Sequence, residues 1–400
     1  MNIERDTGRQ TENRLTPEGT LLLLSIAILF DLLGFWTVPP RINYSSNSAF
    51  YIEMAQHGTR SVRPPFRYRA LVPFVARQLP LPADQAFVAI SNVSLIGCVF
   101  VAMLISKRVG LSIPACIFGA TALFFSRAFI YNYVNPYMTD AVALLAIFAM
   151  VYVYLGAQEI AFGTAAVIGI LAHEITVFLV PAVLFSRRWR RGVAASIIPT
   201  LVLLLTRFWL GTGYAGSLKK EFLLVSVHIS HPLDWVRAVA LTWYMLWPLI
   251  VLGIAMLPRK RFPLLVCTGL LTGGAVLLSL FVLDTERTYS ILAPVVAVGA
   301  ATVFEGLWKQ AGTKAIGLFT VVLADLASAE AYRTGTRDLR VLALFSAPAI
   351  IYLVYAFGAC YTQAREGRRI HAAEVRQFVD EVAAELGATS HGTGNRRVAL

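Results

Sequence analysis

Charge is what this sequence is short of. Asp, Glu, Lys and Arg make up 14% of its 400 residues, whereas a soluble domain carries about a quarter, and this deficit argues against a soluble all-α or α/β domain. Paired cysteines are missing too. Cys98, Cys116, Cys267 and Cys360 lie in or at the end of apolar stretches without CxxC or Cys/His spacing, so they read as buried small hydrophobes rather than a disulfide or zinc framework. No basic run has the pattern of a nucleic-acid footprint. In so apolar a chain the formal charge of +12 belongs to loops that set orientation, and nucleic acid is not an expected partner. The first apolar run, Leu21 to Val38, is too long for a signal peptide and no small-residue cleavage pattern follows it, so it is expected to remain as a helix.

What is present is hydrocarbon. With 57% hydrophobic residues and a mean hydropathy of +0.65, the chain has more apolar surface than one soluble core can hide, and lipid must be its solvent. Apolar segments run over 18–38, 84–106, 112–130, 137–157, 162–186, 192–211, 236–257, 262–283, 288–308, 314–330 and 341–362. At 1.5 Å per residue these are read as membrane crossings. The expectation is an all-α polytopic transmembrane helical bundle of about 10–11 crossings over 18–362, with an N-terminal tail at 1–17 and a C-terminal tail at 363–400. In the latter tail Val375, Phe378, Val379, Val382 and Leu386 recur at helical spacing, as in an amphipathic helix on the membrane surface or a solvated helix without a role.

Lys and Arg in short loops set orientation. With the N-terminus in the cytoplasm, Lys107, Arg108, Arg259 to Arg261, Lys309, Lys314 and the C-terminal tail fall inside, and the location is the inner (plasma) membrane. Arg187, Arg188, Arg190 and Arg191 would fall outside if 162–186 crossed once. The conflict vanishes if that segment is a broken, re-entrant pair of short helices with its apex near His173 and Glu174, which implies a polar cavity at that depth.

Ionisable residues in or beside membrane segments are costly and mark candidate sites. In the first outer loop, NSAFYIEMAQHG and PPFRYRALVP bring Glu53, Arg67 and Arg69 close in sequence. Arginine forks suit a lipid phosphate, although Arg67, Tyr68 and Arg69 also fit an interfacial anchor. In YNYVNPYMTDAVALL, Asn135 ends a loop and Asp140 begins a helix, either as a dipole-favoured first-turn charge or as a carboxylate for an acceptor hydroxyl or a metal. His173 and Glu174 interrupt an apolar run in LAHEITVFLVP, as site residues or as a pair satisfied by neighbouring helices. They lack the second histidine of HExxH. In LDTERTYSILAPVV, Asp284 and Arg287 open a helix, with Arg287 facing a phosphate or Glu286. His228 and His231 have ligand-like spacing but no supporting cluster, and Asp31 is expected to pair within the bundle.

At FYIEMA with FRYR, NPYMTD, HEITVFLVP and DTERTYSILAP, in this order over residues 20 to 305, the chain resembles bacterial members of the GT-C superfamily, multi-spanning glycosyltransferases that take sugars from polyprenyl-phosphate carriers. The resemblance implies an outward-facing transferase with a glycan or glycolipid acceptor. Glu53 or Asp140 would act as base, Arg67, Arg69 and Arg287 would surround the phosphate, and His173 and Glu174, with Asn135 and Asp284 nearby, would position the substrates. No cofactor is required, and a divalent metal is optional. The family's first-loop aspartate is absent, with Asn47 in its place, and His173 stands where a lysine is usual. A chain that binds or translocates a lipid-linked glycan is therefore the alternative, together with a glycan polymerase, against which the short loops after residue 240 count.

Overall fold

The computed structural model describes residues 15–37, 46–62, 66–186, 188–210, 225, 229–257, 262–281, 285–334, 344–359 and 361. All regular structure among them is helical. Backbone polar groups that meet lipid must be satisfied within their own segment, and runs of Leu, Ile, Val, Ala and Phe do this as helices. The chain divides into two units, Met1–Leu353 and Val354–Leu400. In the second unit, Cys360 and the tail from 363 onward, with its expected amphipathic helix, lie outside the described residues. The first unit holds the bundle.

Its first helices are α1 (Pro17–Thr37), α2 (Ser46–His57), α3 (Leu71–Gln78) and α4 (Ala83–Arg108). The segment expected as a crossing over 112–130 is broken. It is two helices, α5 (Ile113–Phe124) and α6 (Arg127–Val134), bent by 57°. Ser126 makes the break, since its hydroxyl donates to the Leu123 carbonyl at 2.6 Å and accepts from the Phe129 N–H at 3.3 Å, capping the new helix. α7 (Asp140–Leu155) and α8 (Glu159–Ala172) follow.

After α8 the chain turns back. His173 is extended, and residues Glu174–Phe185 form a 3-10 arm before α9 (Trp189–Leu210). Both arms end on the same turn of α9. A Cβ on Gly163 would lie 2.7 Å from the Ala195 carbonyl oxygen, and one on Gly192 would lie 2.8 Å from that of Val183. Residues 163 and 183 are thus neighbours, which a straight passage of about twenty residues would forbid, so α8 and the 3-10 arm are antiparallel with His173 at the apex. α9 then runs up the outside of this hairpin and ends beside its tip.

The remaining helices are α10 (Pro232–Trp243), α11 (Trp247–Met256), α12 (Phe262–Ser279), α13 (Thr285–Tyr289), α14 (Ala293–Ala311), α15 (Phe319–Thr334) and α16 (Leu344–Ala359). α14 is the hub, buried at every position from Ala293 to Leu307. Small residues bring its neighbours in. Gly119 of α5 meets the Ala297 carbonyl, and Gly253 of α11 meets Gly299, as helix pairs in lipid pack through small side chains.

Among the described residues, six helices are long and apolar enough to cross a membrane, or seven if the bent pair counts as one span. Of the expected 10–11 crossings, these are the ones that meet that length and composition among the described residues. Residues Asp140–Leu155, Glu159–Ala172, Glu174–Phe185 and Leu344–Ala359 are apolar but shorter than a full span, and the hairpin divides one hydropathy peak between two arms.

The two ends of the first unit differ. At one end Arg108 donates to the Tyr152 carbonyl at 2.7 Å, and Lys309 pairs with Glu305 at 2.9 Å, next to the Ser112 N–H that Glu305 caps. Arg188, Arg190 and Arg191 start α9 at this same end. At the other end α2, α3 and the start of α4 pack around Tyr51, Met54, Val72, Ala76 and Phe87, together with Tyr137 and Met138. The hairpin tip lies beneath this layer.

Candidate functional site

Asp140 is the first residue of α7. Its carboxylate does more than sit in a helix's first turn. Oδ1 lies 2.7 Å from Arg287 Nη2 and 3.6 Å from His173 Nε2, while Oδ2 is buried with no hydrogen-bond partner among the described residues. His173 Nδ1 accepts the Ile175 N–H at 3.3 Å. That nitrogen is therefore unprotonated, and the ring is neutral with its proton on Nε2, facing Asp140. The apex geometry itself sets this tautomer.

Glu174 opens the 3-10 arm and grips Arg69 through both carboxylate oxygens, each at 3.0 Å, while Arg69 Nη1 donates to the Tyr51 hydroxyl at 2.8 Å. This forked pair is the strong, directional form of the Arg–carboxylate contact. Burial works against the charge on Arg69, but the Glu174 carboxylate beside it outweighs this and holds the guanidinium's pKa above its ordinary value. A third arginine, Arg207 in the last turn of α9, lies 3.5 Å from Glu174 Oε1 and 4.1 Å from the centre of the Tyr68 ring.

Arg69, Asp140, His173, Glu174, Arg207 and Arg287 line one cavity of about 400 Å³ together with Thr288 and Ser290, and its other walls are apolar, from Leu144 and Ile147 of α7, Phe178 of the hairpin, Leu203 and Leu204 of α9, Leu278 of α12 and Ile291. Three arginines meet two carboxylates and a neutral histidine, so the cavity carries one excess positive charge. A charge in such surroundings needs a partner, and the site is electrically suited to an anion.

Of the residues expected from sequence, Arg69, Asp140, His173, Glu174 and Arg287 converge here, although they are spread widely along the chain. Glu53 lies on α2, half-buried, and does not line the cavity. Arg67 donates to the carbonyls of Val62 at 2.7 Å and Arg60 at 3.4 Å, so it braces its own loop. Asn135 donates to the Tyr131 carbonyl at 3.0 Å and ends α6. Asp284 and His228 lie outside the described residues, and His231 is exposed with its ring against Ser230. Asp31 accepts from the Tyr133 hydroxyl at 2.8 Å, within the bundle as expected. No group of three or more His, Cys, Asp or Glu among the described residues is placed to hold a metal ion.

Sequence reading missed Arg207 and Tyr51. Arg207 had a signal in the run LVLLLTRFWL, where one cation interrupts an apolar helix. Tyr51 had none, because an aromatic in an apolar loop helix does not declare a hydrogen-bond partner. Compared with family models, characterised proteins and solved structures, the chain matches none.

Proposed function

We propose that this chain is an integral membrane glycosyltransferase of GT-C kind that moves a sugar from a polyprenyl-phosphate carrier to a cell-envelope glycan or glycolipid. The observation that carries this reading is Asp140 Oδ2, a carboxylate oxygen without a hydrogen-bond partner among the described residues, in a cavity where three arginines gather at the polar end and the remaining walls are mostly apolar. A charged head with an apolar tail is the ligand such walls fit.

The chemistry follows from the groups in place. An acceptor hydroxyl attacks the anomeric carbon of the donor, the bond from that carbon to the phosphate oxygen breaks, and its electron pair leaves with the phosphate. Cations beside that oxygen stabilise the charge it gains. The hydroxyl proton passes to Asp140 Oδ2. Arg287 lies against Oδ1, with His173 Nε2 3.6 Å away, so Oδ2 is the oxygen without a partner among the described residues, and the buried carboxylate would turn it toward the acceptor. Glu53 is the less suited base, because it does not line the cavity.

Orientation is inferred from charge. The end carrying Lys107, Arg108, Arg188, Arg190, Arg191 and Lys309 is read as cytoplasmic, which assigns the site to the outer half of the bilayer. Gly97 and Cys98 in mid-α4 lie beside Leu145 and Ala141 of α7, and about twelve helical residues, or about 18 Å, separate Asp140 from Tyr152. With Arg108 at the inner boundary of a hydrocarbon layer about 30 Å thick, Asp140 would lie about 12 Å below the outer one.

The test is transfer of label from radiolabelled polyprenyl-phosphate sugars by purified protein in lipid, with envelope extract as acceptor. Transfer that is lost in Asp140→Asn supports the reading. Tight carrier binding with no release from any carrier would replace it with a carrier-binding or transport role.

A further inference from the structure

Two of the three cavity arginines are tied down. Arg69 is buried and gives its guanidinium to Glu174 and Tyr51, and Arg287 lies 2.7 Å from Asp140 with its side chain 14% exposed. Arg207 differs on every count. Its side chain is 37% exposed, and its one ion pair among the described residues is 3.5 Å long. That contact is to Glu174 Oε1, an oxygen that Arg69 already holds at 3.0 Å. One carboxylate therefore faces two guanidinium groups, and the excess positive charge of the cavity resides with Arg207.

We propose that Arg207 is the residue that receives the ligand's phosphate, leaving Glu174 to Arg69 and turning its fork onto the anion. This rests on the reading of the cavity as a lipid-phosphate site and assigns the contact within it. The move is cheap for the protein. The forked Arg69–Glu174 pair stays complete when Arg207 leaves, so no buried charge is stripped of its partner. Tyr68 supports the cation from below, and stacking on an aromatic face leaves the guanidinium edge, with its N–H groups, open to accept a phosphate. Position points the same way. Leu203 and Leu204, one turn before Arg207, line the cavity, while Leu201, Leu205 and Phe208 on the same helix are exposed. A lipid that follows the α9 surface inward meets Arg207 at the cavity rim.

The test measures binding rather than transfer. Purified protein in nanodiscs is titrated with radiolabelled polyprenyl monophosphate, with neutral polyprenol and with inorganic phosphate, for the wild type, Arg207→Gln, Arg207→Lys and Tyr68→Leu. The expected result is polyprenyl monophosphate affinity about 10- to 100-fold weaker in Arg207→Gln, the scale of a lost charged hydrogen bond, with the melting temperature unchanged. Arg207→Lys recovers part of the affinity, and Tyr68→Leu loses part of it. Salt weakens wild-type binding more than binding by Arg207→Gln. Binding of phosphate alone with the same Arg207 dependence would make the free anion the ligand and keep the assignment. Unchanged affinity in a folded Arg207→Gln protein, or no binding of either phosphate probe by the wild type, overturns it. Arg207-dependent binding without sugar transfer retains the assignment and removes the transferase reading.

Discussion

At the scale of single residues, the site is built from charges that hold one another in place and leave one buried oxygen, Asp140 Oδ2, without a partner among the described residues. Asp140→Asn keeps the shape but takes away the proton acceptor, and transfer is expected to fall about 10²- to 10⁴-fold in the radiolabel assay, while Glu53→Gln stays at the wild-type rate. Equal losses in the two variants would show that cavity geometry does not choose the base. Glu174→Gln tests the other pair. It leaves Arg69 buried with a weakened partner, and removing one member of a buried pair costs about 3 kcal/mol or more. A lower melting temperature is therefore expected, and Arg69→Met combined with Glu174→Leu is expected to recover much of it. Most of this cluster was legible in the chain because a charge among apolar residues stands out, as Asp140, His173, Glu174 and Arg287 do. The helix face was not. Tyr51 is buried and bonded to Arg69, whereas Glu53, two residues on, points elsewhere, and about 100° of helical rotation per residue separates the two fates.

At the scale of elements, the α8 and 3-10 hairpin positions the site. Its tip carries His173 and Glu174, and its base is wedged against α9 through Gly163 and Gly192, where added side chains would meet backbone carbonyls. Gly192→Val is expected to push α9 outward and destabilise the protein by about 1–3 kcal/mol, the usual cost of overpacking. Because Arg207 rides at the far end of α9, polyprenyl monophosphate binding should weaken in the same variant. Thermal unfolding together with the nanodisc titration checks both, and a destabilised protein that binds at wild-type affinity would mean that α9 pivots without moving Arg207. The break at His173 was readable because two polar residues and four misplaced arginines disagreed with a single crossing. The bend at Ser126 was not, since Ser126 and Arg127 are flanked by Phe124, Phe125, Ala128 and Phe129, and hydropathy averages straight through two polar residues.

At the scale of the whole molecule, the distribution of charge between the two ends of the first unit decides which face of the membrane the cavity serves. One end gathers Lys107, Arg108, Arg190 and Arg191, with Lys309 paired to Glu305 beside them. The other carries basic residues as well, but there Arg69 and Arg287 are matched to Glu174 and Asp140 inside the fold, and Arg207 shares Glu174 with Arg69. Arginines held by carboxylates in a cavity do not act on the insertion machinery as loop charges do, so the unmatched end should govern orientation. Arg60, on the layer above the site, and Arg191, at the start of α9, are both exposed, and Cys98, Cys116 and Cys267 are buried. A membrane-impermeant thiol reagent applied to intact cells is therefore expected to label Arg60→Cys and to spare Arg191→Cys until the membrane is opened. The reverse pattern would turn the cavity toward the cytoplasm, where the donor would have to be loaded from inside, and it would remove the outer-face acceptor from the proposed reaction while leaving the Asp140, Arg207 and Glu174 geometry as it stands.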